Sequence, residues 1–259
     1  MKTLVTEMQK IIESGEAAVL CIVTHTEGST PRKAGAKMLV RTDGSIMGTI
    51  GGGNIELQVI KKAVSLCNSL IPVTERFELF DDLSMHCGGK MDVYMEAISN
   101  LQKVYIFGAG HVGRAVARLA TQFGFLVTLI DERPGIFSTV NFPEIQCLEK
   151  NYFKAIEDLA FNESVYTVVV TPKHSFDEEI TARLCTLNVA YIGMIGSKSK
   201  VALARKRFTE EFHLSPNQIN RIDMPIGIPF AVETPEEIAL SIVSRLVDVK
   251  NQKLRNVKN

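Results

Sequence analysis

The chain has 259 residues, with 29 Lys and Arg against 29 Asp and Glu, 18 Gly, 5 Cys and no Trp. Its length predicts one large domain or two small ones, and 46% hydrophobic with 22% charged residues is ordinary for a globular protein, which excludes extended disorder. A formal net charge of zero argues against a general nucleic-acid-binding protein, which usually carries a basic excess, so we expect no nucleic-acid partner.

The sequence predicts a protein of the cytoplasm. No run reaches the ~18 apolar residues that a membrane helix needs, so we expect no membrane contact. The N-terminus carries acids and lacks the continuous apolar core of a signal peptide. The cysteines are scattered with no Cys-x-x-Cys pair, which argues against a zinc ribbon or a redox dithiol and is typical of reduced thiols.

The first part of the chain, residues 1–99, has the pattern of an α+β domain. Its helices show apolar residues at helical spacing, and its strands are apolar runs rich in β-branched residues. Asp43-Gly44 between two such runs predicts a hairpin, because this dipeptide takes the positive φ angles of a tight turn. The predicted elements are helices at 1–15 and 54–70 and strands at 17–25, 37–42, 45–50, 73–80 and 91–98.

The second part, residues 100–259, alternates strands with helices. Such alternation predicts a doubly wound parallel sheet with right-handed crossovers, so the fold class is α/β overall. We expect residues 250–259 to form a solvated, frayed end. The predicted strands are 103–107, 125–131, 165–171 and 190–196, and the helices are 114–123, 151–160, 176–187, 198–211 and 235–249.

A G-x-G-x-x-G motif directly follows the first strand of this second part. Gly108 allows the tight turn, Gly110 lets backbone approach a pyrophosphate, and Gly113 lets helix and strand pack closely. The helix that follows offers free N–H groups and a positive dipole end, and His111 lies at its start. The motif therefore predicts a Rossmann-like domain that binds a dinucleotide or another phosphate ligand, with the alternative that the turn is retained only for packing.

Asp131 ends the next predicted strand, 18 residues after Gly113. This spacing is near the ~20 residues expected for a carboxylate that binds ribose hydroxyls in NAD-binding domains. Arg133 follows two residues later, so the 2′-phosphate of NADP is also compatible with the sequence.

A second strand-to-helix turn contains Gly196, Ser197 and Lys198. Ser197 is placed to cap the helix, and Lys198 adds positive charge, so this turn is a second candidate for phosphate or pterin contact at the same sheet edge. The alternative is a capped helix with solvated lysines. His174 follows the third strand at that edge, and it is either a ligand contact or proton shuttle or an exposed histidine without a role.

Two features of the first part are also candidate sites. Gly51, Gly52 and Gly53 precede a helix. Three consecutive glycines are entropically costly, which argues for a role, and their lack of side chains would let the backbone come close to a phosphate or to another backbone segment. Cys87 lies in the loop His-Cys-Gly-Gly-Lys, where neighbouring positive groups favour a thiolate. A thiolate is a nucleophile and a soft metal ligand. The alternative is an incidental loop thiol.

Six segments in order resemble the XdhC/CoxI family. They are GSTPRKAGAKMLV, DGSIMGTIGGGNIE, HCGGKMDVYMEAI, VYIFGAGHVGRAVARLA, AYIGMIGSKSK and PIGIPFAVETPEEIALSI. The resemblance implies an accessory protein that binds molybdenum cofactor (molybdopterin) as cargo, protects it while its terminal sulfur is installed, and delivers it to an apo molybdenum hydroxylase such as xanthine dehydrogenase. It also implies a molybdenum contact for Cys87, with a cysteine desulfurase as a possible second partner.

The sequence departs from the family pattern at four places. Thr171-Pro172-Lys173-His174 stands where the family usually has Thr-His-Asp-His, and residues 230–233 lack the glycine that usually precedes Thr-Pro-Glu-Glu. The other two departures concern cysteines. Many members have a cysteine pair before Gly-Gly, whereas His86 stands at the first position here, and one branch has a cysteine where Asn54 stands. A mechanism that needs two thiols is therefore in doubt.

The rival function is an NAD(P)-dependent oxidoreductase, although no clear Tyr-x-x-x-Lys or catalytic His–Asp arrangement is evident. A third alternative is a docking scaffold that binds no nucleotide. The two-domain architecture is compatible with a homodimer.

Overall fold

The computed structural model of the protein describes residues 2–14, 16–67, 69, 71–78, 89–98, 102–138 and 142–258, without the side chains of residues 2, 13, 14, 174, 175 and 253–258. Within the chain so described, no helix is both long enough and apolar enough to cross a bilayer. The residues form two compact units, the first before residue 101 and the second over Leu101–Asn256.

The first unit is an antiparallel sheet with helices. Its elements are α1 (Lys2–Ser14), β1 (Ala18–Glu27), β2 (Lys37–Arg41), β3 (Ile46–Gly48), α2 (Gly53–Leu66), β4 (Val73–Glu78) and β5 (Lys90–Ala97). The strand order is β3-β2-β1-β5-β4. The predicted hairpin is present between β2 and β3, with Gly44 at φ +81° and the Asp43 carboxylate accepting the Ser45 N–H at 2.9 Å.

Alternation along the strands gives this sheet two apolar faces. Val19, Cys21 and Val23 of β1 pack in one core with the buried residues of α2, which recur four apart in the sequence. Residues of the opposite parity, Ala18 and Leu39, pack with Ile11 of α1. Successive side chains of a strand point to opposite faces, so each helix covers one face.

The second unit is a six-stranded parallel sheet. Its strands are β6 (Gln102–Phe107), β7 (Phe125–Asp131), β8 (Ile145–Glu149), β9 (Val165–Val169), β10 (Tyr191–Met194) and β11 (Ile222–Asp223). Its helices are α3 (His111–Gln122), α4 (Tyr152–Asp158), α5 (His174–Leu184), α6 (Lys198–Glu210), α7 (Pro216–Asn220) and α8 (Pro235–Lys258).

The strand order β11-β10-β9-β6-β7-β8 is that of a Rossmann fold. Helices α3 and α8 pack on one sheet face, where they share a core with β6 and β7. Helices α4 to α7 contribute to a second core on the other face. The predicted α/β class, with an α+β first part and a doubly wound second part, is therefore confirmed.

Several details differ from the sequence-based expectations. The tail is not frayed at residue 250, because α8 continues to Lys258 and no Gly or Pro after its first residue stops the helix. The Lys250 amine donates to the Phe123 carbonyl at 2.9 Å and lies 4.8 Å from the centre of the Phe125 ring. The short elements β8, α7 and β11 were not predicted, because two to five residues show too little periodicity. The capping box of Ser215 and Gln218 was a detectable signal for α7.

Candidate functional site

The second unit has a cavity of about 590 Å³ at the carboxyl ends of its strands. It opens where the strand order reverses, between β6 and β9, which is where open α/β sheets bind their ligands. Its volume lies in the ~300–1,000 Å³ range of small-molecule sites. The lining residues are Ala109, Gly110, His111, Val112, Arg114, Arg133, Ile136, Val170, Thr171, Pro172, Ile195, Gly196, Ser197 and Pro235.

Two of the three motif glycines are required by packing. Gly108 has φ +113°, and a Cβ there would lie 2.4 Å from the Val170 carbonyl oxygen. A Cβ on Gly113 would lie 1.8 Å from the Gly108 carbonyl oxygen. Both distances are far shorter than a non-bonded contact between carbon and oxygen, so neither position accepts a side chain without movement of the backbone. Gly108 and Gly113 therefore let β6, the turn and α3 come together, and neither lines the cavity.

Gly110 is the motif glycine that faces open space. It precedes the first residue of α3, has an ordinary extended conformation (φ −72°), and a Cβ there would meet nothing within 4 Å. No side chain caps α3 within the described residues. His111 is exposed and lines the cavity beside Gly110. The positive end of the α3 dipole thus meets a space that is open to an anion.

Asp131 is the last residue of β7, as the sequence predicts. Its side chain is fully buried and does not line the cavity. Oδ2 accepts the Ala109 N–H at 2.7 Å and Nη2 of Arg133 at 2.8 Å, and Oδ1 accepts Nε of Arg133 at 2.9 Å and its backbone N–H at 3.0 Å. The carboxylate is committed to the turn and to Arg133, so a ribose contact, which stays a prediction, would require Arg133 to leave.

The same contacts control the charge of this pair. Burial acts to raise the pKa of Asp131, but the hydrogen bonds from Arg133 and Ala109 outweigh it and hold that pKa below its usual range. Hydrogen bonding to Asp131 raises the pKa of Arg133. The pair is therefore fully ionised at neutral pH, and the arginine, whose side chain is 45% exposed, is one of the residues that line the cavity.

The second turn, after β10, also reaches the cavity. Gly196 and Ser197 line it, and the Ser197 hydroxyl accepts the Lys200 N–H at 3.4 Å as the cap of α6. Lys198 is the first residue of α6 and is exposed, but it is not among the lining residues. The structure thus brings Gly110, His111, Gly196 and Ser197 to one cavity.

Two polar lining residues were missed by sequence reasoning. The Thr171 hydroxyl lies 2.8 Å from Oδ1 of the buried Asp177, which also accepts the Thr171 backbone N–H at 2.8 Å. Arg114 donates from Nε to the Ala109 carbonyl at 2.8 Å and from Nη2 to the Ile136 carbonyl at 2.6 Å. Arg114 directly follows Gly113. Cationic side chains on helices are so often solvated that its position in the sequence did not predict a place in the cavity wall.

The remaining candidate residues are separate from this cavity or lie outside the described residues. His174 is the first residue of α5, and its side chain lies outside the described residues, as does all of Cys87. The metal contact predicted for Cys87 is therefore untested. Among the described residues no group of three His, Cys, Asp or Glu side chains is arranged to hold a metal ion.

The glycine triplet of the first unit surrounds one of the chain's own carboxylates. Oε2 of Glu56 accepts the Thr49 hydroxyl at 2.5 Å, the Ile50 N–H at 3.1 Å and the Gly52 N–H at 3.2 Å. Partial burial acts to raise the pKa of Glu56, but these hydrogen bonds outweigh it and the pKa is lowered. The N–H groups expected to meet a ligand are thus partly used by Glu56, and ligand binding at Gly51, Gly52 and Gly53 stays a prediction.

Positive φ angles explain why this segment is glycine. Gly51, Gly52 and Gly53 have φ angles of +144°, +79° and +65°. A Cβ on Gly51 would also lie 2.4 Å from Cγ of Pro31, so the triplet closes against the preceding loop. The close neighbour of Gly51 is the ring of Pro31, which is a side chain, so close approach of the triplet to another backbone segment stays a prediction.

Two family models match the chain. The model described as the XdhC Rossmann domain covers residues 104–246, and the model described as the XdhC and CoxI family covers residues 11–78. The chain belongs to the XdhC and CoxI family. The predicted resemblance is thereby confirmed, and the Rossmann match contains every lining residue of the cavity.

Two individual proteins are similar to this XdhC/CoxI family chain over 95% of its length. It is 31% identical over 252 residues to the uncharacterized protein YqeB of Escherichia coli K12, covering 95% of this chain but 46% of YqeB. The chain thus spans about half the length of that relative. It is 24% identical to a Bacillus subtilis protein named as a probable xanthine dehydrogenase subunit, covering 95% of this chain and 97% of that protein.

A solved structure shares the fold of this family member. A crystal structure of a xanthine dehydrogenase from Bacillus halodurans matches with a TM-score of 0.54 at 20% identity, covering 96% of each chain. At this identity the likeness shows the fold alone. Cys87 lies between the two ranges matched by the family models.

Proposed function

We propose that this XdhC/CoxI-family protein binds molybdenum cofactor, protects it while its terminal sulfur is installed, and delivers it to a xanthine dehydrogenase-like molybdenum hydroxylase. The observation that carries the proposal is the cavity in the Rossmann unit, which combines an uncapped helix start with largely apolar walls. The partner class is supported by the name of the Bacillus subtilis relative, a probable subunit of xanthine dehydrogenase.

The cavity chemistry suits a phosphorylated pterin. The start of α3 at Gly110 offers backbone N–H groups and a positive dipole to a phosphate. Val112, Ile136 and Ile195 offer apolar surface to a ring system. No carboxylate belongs to the cavity wall formed by the described residues, so an anion there would not contact an acidic side chain of the wall.

Cys87 is the proposed contact to the molybdenum of the cargo. Its role is carried over from the family's Cys-Gly-Gly motif, and a thiolate is a suitable soft ligand for such a metal. A cysteine desulfurase is the proposed source of the terminal sulfur. The protein then acts by stoichiometric binding and release, with no turnover of its own.

Binding is tested with purified full-length protein and molybdenum cofactor released from a molybdenum enzyme. After gel filtration we expect molybdenum and pterin to elute with the protein at up to one equivalent. Protein mixed with molybdate alone is the control. Absence of both molybdenum and pterin from the protein peak would reject cargo binding.

Replacing Cys87 with serine tests the thiol. We expect normal folding, because the sequence predicts that this thiol lies outside a core, and weaker retention or delivery of the cofactor. A matched control is Cys147→Ser, which changes the exposed thiol of the second unit. Retention and delivery equal to wild type in the Cys87 variant would remove this residue from the mechanism.

The second candidate function is NAD(P)-dependent oxidation or reduction. The Rossmann strand order and the glycine turn favour it, because both are typical of dinucleotide-binding domains. Gly110 and the start of α3 would meet the pyrophosphate, with Gly108 and Gly113 allowing the turn to pack, and the hydride chemistry would belong to the nicotinamide. Calorimetry with NAD(H), NADP(H) and CTP separates the candidates, since micromolar nicotinamide binding with hydride transfer supports only the oxidoreductase.

A further inference from the structure

The Asp131–Arg133 pair reverses the arrangement expected at the end of the second strand of a Rossmann sheet. In NAD-binding domains a carboxylate at this place accepts ribose hydroxyls, and in NADP-binding domains a nearby arginine accommodates the 2′-phosphate. Here the carboxylate is fully buried, and the arginine, 45% exposed, forms part of the cavity wall. The group presented to a ligand is therefore the cation.

We propose that Arg133, held in place by Asp131, recognises a phosphomonoester on the ligand of this cavity. Asp131 acts as a positioning residue, because it contacts the arginine and the glycine turn but not the cavity. This inference rests on the proposed function and deepens it by naming the ligand group that the site selects.

The hydrogen-bond count leaves Arg133 with donors for a ligand. A guanidinium carries five N–H donors in a planar fork. Asp131 takes one from Nε and one from Nη2. Nη1 donates to no group in the described part of the chain, so its two N–H groups and the second one of Nη2 remain. Two of these donors, one on Nη1 and one on Nη2, form an edge that suits a bidentate contact with a phosphate, and the buried carboxylate fixes the plane of the fork.

The surroundings favour a doubly charged anion. Arg114 and Arg133 are the two cationic side chains of the wall, and none of its described members is acidic. Helices α3, α6 and α8 begin at this wall, and the positive dipole ends of α3 and α6, which have no acid in their first turn, add to the field. A terminal phosphomonoester concentrates about two negative charges on one phosphorus, whereas each phosphorus of the diphosphate bridge of a dinucleotide carries one, so the monoester gains more from contact with a single guanidinium.

Two sources supply a phosphomonoester of this kind. One is the terminal phosphate of the pterin cofactor, and the other is the 2′-phosphate of NADP. Each has a partner molecule without that group: cofactor treated with phosphatase, and NAD. A charge-assisted contact of this type gives about a 10- to 100-fold preference for the phosphorylated member of a pair.

The test measures affinity for both pairs by calorimetry or equilibrium dialysis with the full-length protein. The variants are Arg133→Gln, which removes the cation, and Arg133→Lys, which keeps a charge for Asp131 but loses the fork. Arg183→Gln is the matched control, because Arg183 has a similar exposure of 48% in the same unit and is not part of the cavity wall. Affinity for the unphosphorylated member reports whether each variant retains an intact cavity.

We expect a preference for the phosphorylated member in at least one pair, lost in Arg133→Gln, reduced in Arg133→Lys and unchanged in Arg183→Gln. Equal affinity for both members of every pair, or a preference that survives Arg133→Gln, overturns the inference. If only the NADP pair binds, the inference stands and cargo binding fails. If the cofactor binds with and without its phosphate equally well, cargo binding stands and the inference fails, and if neither pair binds, both fail.

Discussion

Replacing Gly113 with alanine perturbs the closest backbone contact in the Rossmann turn. The added Cβ would lie 1.8 Å from the Gly108 carbonyl oxygen and 3.4 Å from Cγ2 of Val170. A contact of 1.8 Å with a carbonyl cannot be relieved by a side-chain rotation. The turn or the first residues of α3 must move, and this movement also strains the 2.7 Å hydrogen bond from Ala109 to Asp131.

The expected loss of stability exceeds the gain from helix propensity. Overpacking costs about 1–3 kcal/mol, and weakening a hydrogen bond to a charged group costs about 1.5 kcal/mol or more. Alanine is favoured over glycine within a helix by about 1 kcal/mol. We therefore expect the variant to lose roughly 3 kcal/mol, or about 6–12 °C in the melting temperature of the second unit.

Circular dichroism during urea or thermal unfolding measures this loss, since the chain has no Trp to report by fluorescence. Hydrogen exchange of the β6 and α3 amides assigns the loss to the second unit. The matched control is Gly110→Ala, where the added Cβ meets nothing within 4 Å and the stability change should stay within about 1 kcal/mol. Stability of Gly113→Ala equal to wild type would refute the packing role assigned to this glycine.

Three further results are expected. Gly110→Ala should fold yet weaken binding of phosphorylated ligands, measured by calorimetry, because the methyl group enters the space before α3, and unchanged affinity would contradict this. The pKa of Asp131 is lower in the folded protein than in the unfolded chain, where it is about 3.9. The ionised carboxylate therefore contributes its full stabilisation above pH ~3.9, and this contribution is lost as the pH falls through the pKa of the folded state. Asp131→Asn should therefore be less stable than wild type at pH 7 and approach it in acid, and a gap independent of pH would oppose this. Glu56→Ala should lower the free energy of unfolding in urea by about 1–3 kcal/mol, because it removes hydrogen bonds to the glycine turn. The control Glu75→Ala removes an exposed ion pair with Lys62 and should lower it by at most about 1 kcal/mol. Equal losses in the two variants would contradict the role of Glu56 in the glycine turn.

The long elements were predictable because their patterns are local. Strands such as Phe125–Asp131 are continuous apolar runs, and the hairpin is specified by Asp43 and Gly44 alone. The short strand β11 pairs with β10 through Ile192 and Gly193, a contact between residues far apart in the sequence. Such an element depends on the assembled sheet, so no window of the sequence contains its signal.

Part of the site was predictable for the same reason. The positions of Gly108, Gly110 and Gly113 follow from one motif, and the parallel sheet places the turn after β10 at the same edge. The contacts of Asp131 were not predictable, because no pattern in the sequence shows which donors a carboxylate will meet in the folded chain. Arg133 reaches it at 2.8–2.9 Å, and only the folded turn fixes that contact.

Cofactor delivery is tested most directly by transfer from the loaded protein to an apo molybdenum hydroxylase. The protein carrying one equivalent of sulfurated cofactor is mixed with apo xanthine dehydrogenase, and hydroxylase activity is compared with that produced by the same amount of free cofactor. We predict more activity from the loaded protein, with molybdenum moving from its gel-filtration peak to that of the enzyme. Activation no greater than with free cofactor, or molybdenum that stays with the protein, would contradict the proposed function.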